Sequence, residues 1–122
     1  MFDRADSAFV AWQRQTTKPK VVSPIIGYVA CPRLKGKTLI IADTMIATGS
    51  TIIESYKLLT KDDEPQQTFV AAVIASKEGI ANLEKTLPRA SIIVGAIDKE
   101  LNKDFFIVPG LGDAGDLLYG AK

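Results

Sequence analysis

Three short, nearly unbroken apolar runs constrain this chain more than any other feature: residues 38–42 (TLIIA), 68–75 (TFVAAVIA) and 91–97 (SIIVGAI). Each is too short for an ordinary core helix and lacks the alternation of a half-exposed strand. They therefore read as strands buried on both faces. The intervening segments carry the other period. From Ser50 onward, Ile52, Ile53, Tyr56, Leu58 and Leu59 mark one face of a helix, with Ser50 or Thr51 as its N-cap. That helix should stop before the polar stretch 61–67, which contains Pro65. A second helix is expected over 78–87, where Pro88 ends it. Strands alternating with helices of about ten residues imply right-handed crossovers and a parallel sheet flanked by helices, the α/β class.

The N-terminal third departs from this pattern. Residues 8–12 and 25–30 read as strands, and the polar stretch 13–20 between them holds Thr16, Thr17 and Pro19. An antiparallel flap at 13–30 beside the main sheet is expected, with Pro24 and Pro32 favouring edge positions or short pairings. The whole of 1–122 reads as a single domain, because 122 residues can bury one modest core.

Composition removes several function classes. Fifteen basic against fourteen acidic residues, dispersed along the chain, leave no basic stripe to track a nucleic-acid backbone. Histidine is absent and the single cysteine, Cys31, has no partner, so neither imidazole acid/base chemistry nor a Cys/His zinc site is available. Cys31 reads as a structural residue, since no motif near it would activate a thiol. No apolar run approaches the roughly 20 residues that span a bilayer. One cysteine and no signal-like N-terminus point to a reducing cytoplasm.

The stretch LIIADTMIATGST sets Asp43 at the end of the first buried strand, followed by a loop running into a helix. Physically this is a phosphate cradle over 43–51. Gly49 and small side chains let backbone amides approach an anion, the hydroxyls of Thr48, Ser50 and Thr51 add donors, and the helix N-terminus supplies positive potential. A Walker loop is excluded because its lysine is missing. Taken alone, Thr-Gly-Ser-Thr is more simply a turn with a helix cap, and it is the context that favours a phosphate site. The strand-Asp-loop-helix context resembles the signature of type I phosphoribosyltransferases. By that resemblance, Met45, Ile46, Ala47, Thr48, Gly49, Ser50 and Thr51 form the loop for the 5′-phosphate of phosphoribosyl pyrophosphate, and Asp43 holds ribose hydroxyls. Relatives carry two acids or Asp-Pro at this point, where this chain has Asp43-Thr44.

A second signal lies in FFIVPGLGDAGDLLYG. Pro109 and the glycines at 110, 112, 115 and 120 imply an irregular backbone rather than a strand or helix, able to lay peptide groups along a flat ligand. Uracil presents acceptor, donor, acceptor along one edge. Backbone groups can read that pattern and reject cytosine, at about 1–3 kcal/mol per unpaired buried group. The order IVPGLGDAGD is similar to the uracil-binding segment of uracil phosphoribosyltransferases, and AIDKELN, ASKEGIANLEKTLP and FDRADSAF extend the resemblance along nearly the whole chain.

The resemblance implies transfer of ribose 5-phosphate to N1 of uracil, giving UMP and pyrophosphate in pyrimidine salvage. Phe106, Ile107, Val108, Gly112, Asp113 and Ala114 would contact the base, with Asp113 near N1 and Phe106 where relatives commonly have Tyr. It implies Mg²⁺ carried on the substrate diphosphate rather than in a protein cage, and a homodimer or larger homo-oligomer as the working form. Relatives are longer on the N-terminal side, and their Arg-Ala-Gly pyrophosphate loop has no match in 1–122. A UMP- or uracil-binding module without turnover is therefore the competing reading. A purine or orotate relative is disfavoured by the uracil-like C-terminal segment.

Overall fold

The computed structural model describes residues 3–16 and 22–120. Its centre is a three-stranded parallel sheet of β3 (Thr38–Ile46), β4 (Gln67–Ser76) and β5 (Ala90–Asp98), in that spatial order. Two strands flank the N-terminal side, β1 (Phe9–Thr16) and β2 (Val22–Ala30), paired antiparallel with a bulge between Ala11 and Trp12. This is the expected flap, longer on both arms than its sequence indicated; its tip at 17–21 lies outside the described residues. Pro24 sits within β2 opposite Arg14. A two-stranded ribbon leaves each strand one free edge, the setting in which a strand proline is tolerated.

The crossovers are α1 (Ser50–Leu59) and α2 (Lys77–Thr86), close to their expected bounds. Both lie on one face of the sheet. Ile52, Ile53 and Tyr56 of α1 and Ile80 and Leu83 of α2 pack with Ile41, Val70, Ala72, Ile92 and Val94 in a single cluster. A right-handed connection taken twice in the same direction, β3 to β4 to β5, requires that placement. The expectation of strands buried on both faces is therefore corrected. Ile40, Val73, Ile93 and Ile97 stand exposed on the opposite face, which no described element covers.

Capping follows side-chain chemistry at α2, where Ser76 Oγ accepts the Gly79 N–H at 2.9 Å. At α1 the N-cap is Gly49 in the left-handed region (φ 77°), one residue before Ser50 and two before Thr51, the expected candidates, and it supplies no side-chain cap. The loop before β3 is tied down by Asp63, whose Oδ2 accepts N–H bonds from Leu34 (2.6 Å) and Lys35 (2.8 Å). Trp12 links flap to helix by donating its indole N–H to Ser55 Oγ at 2.8 Å.

Candidate active site

Strand β3 runs four residues further than expected. Asp43 lies inside the strand, and Met45 and Ile46 are strand residues. Ile46 is fully buried in the core, so only its backbone faces any ligand. The irregular loop shrinks to Ala47, Thr48 and Gly49, with Ser50 and Thr51 already in α1. Asp43 is half-buried; its Oδ1 takes long contacts of 3.4 Å from Thr44 Oγ1 and the Met45 N–H. Asp43 and Thr51 line the same groove.

What holds this loop comes from β4 and α2. Ser76 Oγ donates to the Ala47 carbonyl at 2.6 Å, and Asn82 Nδ2 donates to the Thr48 carbonyl at 2.8 Å. Both loop carbonyls are thereby turned toward protein, and the side-chain acceptor near the first amides of α1 is Thr48 Oγ1, a long 3.4 Å from the Ser50 N–H. Two glycines permit the packing. A Cβ on Gly79 would overlap the Ala47 carbonyl oxygen, and one on Gly49 would fall 3.1 Å from both the Gly79 carbonyl oxygen and Leu83 Cγ. Thr48 Oγ1 donates to Ser50 Oγ at 3.0 Å, gathering two hydroxyls at the helix start. Small residues, a helix N-terminus with open amides and clustered hydroxyls suit an anion.

The C-terminal segment is more regular than its glycines suggested. β6 (Glu100–Leu101) pairs antiparallel with β7 (Ile107–Val108), and α3 (Ala114–Tyr119) follows. The N–H groups of Ile107 and Gly112 bond each other's carbonyls at 3.0 and 3.2 Å, so the tight turn between them is closed by its own backbone. Ile107 is buried and anchors the turn, while Phe106 is half-buried. Asp113 caps α3, its Oδ1 accepting the Asp116 N–H at 2.8 Å.

The two loops meet at the carboxyl end of the sheet. The Ala114 N–H points at Met45 Sδ, 3.0 Å away. Gly110 lies over the ends of β4 and β5, where a Cβ would fall 2.9 Å from Ile74 Cδ1 and overlap Asp98 Oδ2. That carboxylate oxygen is buried without a hydrogen-bond partner among the described residues. Ser76, Gly79, Asn82 and Asp98 were not singled out from the sequence, although the first three lie in ASKEGIANLEKTLP and Asp98 opens the stretch DKELN. Their contacts reach across 29 to 34 residues in the cases of Ser76 and Asn82, beyond any local pattern.

A family model described as uracil phosphoribosyltransferase matches residues 3–121. The chain belongs to the uracil phosphoribosyltransferase family. Curated relatives bearing that name include one from Methanococcus vannielii, 48% identical over 78% of this chain and 41% of its own length. Another, from Porphyromonas gingivalis, is 38% identical over 99% of this chain and 56% of its own. The AQ2163 protein of Aquifex aeolicus superimposes with a TM-score of 0.81 at 34% identity, over 94% of this chain and 53% of that structure. The phosphoribosyltransferase-like α/β fold is thus shared, and the chain spans about half the length of the curated relatives and of the solved structure it matches.

Cys31 plays no part at the meeting of the loops. It is exposed, its Sγ donates to the Pro32 carbonyl, and partial burial followed by the nearby Asp63 charge raises its thiol above the ordinary range. A raised thiol is a poor nucleophile near neutrality. Among the described residues, no helix is long and apolar enough to cross a membrane, and no group of three or more His, Cys, Asp or Glu stands ready to hold a metal.

Proposed function

We propose that residues 1–122 act as one phosphoribosyltransferase-like domain that transfers ribose 5-phosphate from phosphoribosyl pyrophosphate to N1 of uracil, forming UMP and pyrophosphate in cytoplasmic pyrimidine salvage. The observation that carries the reading is the meeting of the two loops at Met45 and Ala114. An anion cradle and a base-reading turn at one end of a sheet are what a nucleotide monophosphate needs.

In this reading the amides and hydroxyls of 47–51 take the 5′-phosphate, and Asp43, lining the groove beside Thr51, takes the ribose hydroxyls. The turn from Phe106 through Ala114 lies along the base. In the reaction the C1′–oxygen bond to the diphosphate breaks, the C1′–N1 bond forms, and the N1 proton leaves. Asp113 stands by N1; with Oδ1 holding the Asp116 N–H, Oδ2 is the oxygen assigned to the substrate. No side-chain nucleophile is needed, and catalysis comes mainly from holding C1′ against N1. Mg²⁺ is assigned to the substrate diphosphate, whose leaving charge it neutralises. The groove's carboxylates, Asp43 and the Lys37-paired Asp6, suit an ion that keeps its waters better than they suit a protein cage. The working form is a homodimer or larger homo-oligomer, for which the exposed rings of Phe9 and Tyr28, 6.4 Å apart on the flap, offer an apolar contact.

The half-length match favours one second reading, a chain that binds UMP or uracil without turning over alone. A discontinuous assay of UMP formation from uracil, phosphoribosyl pyrophosphate and Mg²⁺, run beside UMP binding, separates the two. UMP formed supports the enzyme. Binding without turnover supports the second reading, and neither would overturn both.

A further inference from the structure

One buried polar atom has no task in the proposed reaction. Oδ2 of Asp98, on the last residue of β5, meets no hydrogen-bond partner among the described residues. Native carboxylates avoid that state by pairing or by reaching water, because an unmatched buried acceptor costs free energy. An acceptor kept in that state calls for a use outside the stability of the free chain.

Its surroundings indicate the use. Gly110, in the middle of the base-reading turn, stands directly over the carboxylate, where a Cβ would overlap Oδ2 and fall 3.1 Å from Asp98 Cγ. Only a residue without a side chain brings its backbone this close. The Gly110 nitrogen is one bond from the same Cα. The turn is closed by the N–H groups of Ile107 and Gly112, and Pro109 has none to give. The N–H of Gly110 meets no acceptor among the described residues, and Gly110 is exposed, so in the free chain that group can turn to water. An acceptor without a donor thus lies beside a donor without an acceptor.

The same position bears on the other loop. Asp98 pairs in register with Ser76 across β4 and β5, and Ser76 Oγ is the donor that holds the Ala47 carbonyl. The rung of the sheet that clamps the phosphate loop therefore continues, one strand over, into the carboxylate beneath the base-reading turn.

We propose that Asp98 is a positioning residue for the base: when the base occupies the turn, rotation of the peptide before Gly110 brings the Gly110 N–H onto Asp98 Oδ2 and holds the turn down on the sheet. The inference rests on the reading of 106–114 as the base-binding segment. Asp98 touches no substrate in this account and acts through the turn. Because the bond is made in the complex and not in the free chain, its strength enters base binding and not the folding of the free chain. A charged acceptor makes the stronger class of such bonds.

The test compares the full chain with D98A, D98N, G110A and G110A/D98A, by calorimetry with UMP and with ribose 5-phosphate and by thermal unfolding. D98A should melt no lower than the parent, since Oδ2 bonds nothing in the free chain, while UMP binding weakens at least tenfold and ribose 5-phosphate binding stays unchanged. D98N keeps the shape and one acceptor oxygen and should recover part of the loss. G110A sets a methyl where the oxygen lies and should cost UMP binding as much as D98A does. In G110A/D98A the overlap is gone, and the loss should equal that of D98A alone and not the product of the two. Amide-resolved hydrogen exchange should show the Gly110 N–H protected by UMP in the parent and in D98N, and unprotected in D98A. A parent chain that binds no UMP would overturn the base-binding reading and the inference with it. A parent that binds UMP no better than D98A does would overturn the inference alone. So would a D98A chain that melts several degrees lower and loses both ligands alike, the mark of plain structural support, or a Gly110 N–H that UMP leaves unprotected.

Discussion

The two loops that meet at the end of the sheet are held in different ways. The 47–49 loop is clamped from outside: Ser76 and Asn82 fix two successive carbonyls, and Gly79 lets α2 press against it. The 102–116 segment is held chiefly by itself, through Asn102 with Asp104 and Phe106, Ile107 with Gly112, and Asp113 with Asp116. Its cross-ties to the sheet are a weak thioether acceptor at Met45 and the close approach of Gly110 to Asp98. A site divided in this manner has a preformed anion cradle and a base-reading turn whose docking can respond to the ligand. In the proposed reading, specificity for the base would then reside in the less constrained half.

Substitutions can break that contrast, beginning with the largest effect. Gly79→Val drives a side chain into the Ala47 backbone, which cannot yield as a flexible side chain would. Overpacking of this kind costs about 1–3 kcal/mol, and thermal unfolding should show a drop of roughly 5–12 °C together with loss of UMP binding. A melting point within a degree or two of the parent would mean the clamp is not rigid. Gly49→Val combines a left-handed φ with 3.1 Å contacts to Gly79 and Leu83. Calorimetry should report UMP binding at least tenfold weaker, about 1.4 kcal/mol.

Smaller effects sharpen the comparison. Asn82→Ala removes one donor to Thr48, worth about 0.5–1.5 kcal/mol; ribose 5-phosphate and UMP affinities should fall together, since both use the clamped loop. Asp113→Ala removes the α3 cap, about 1 kcal/mol, and should weaken UMP while sparing ribose 5-phosphate. Equal losses for both ligands would contradict the division of labour. The smallest effect concerns Cys31, whose alkylation rate should still be climbing with pH where an ordinary thiol has levelled off. Its folded-state value is raised, so thiolate forms later. A plateau at the ordinary position would contradict the desolvation by its surroundings.

The alternation of apolar runs with helical spacing made the sheet and both crossovers legible, because each depends on residues close in sequence. Two kinds of feature were not. One is the partner set of the 47–49 loop: nothing local in ASKEGIANL distinguishes an N-cap serine from one that also holds a carbonyl 29 residues away. The other is the open face. TFVAAVIA and SIIVGAI carry apolar residues on both faces, a record of what should cover them and not of what this chain itself supplies. Glycine content also misled: 107–108 and 114–119 are regular because Ile107 packs inward and Asp113 caps, which outweigh neighbouring glycines.

The joint site is tested most directly by an amide-resolved NMR titration of the chain with UMP. The expected result is a single binding curve followed by two sets of amides, those of 47–51 and those of 107–114, with CMP at least tenfold weaker and its deficit felt at 107–114. Shifts confined to one loop, or equal affinity for UMP and CMP, would contradict a shared nucleotide site.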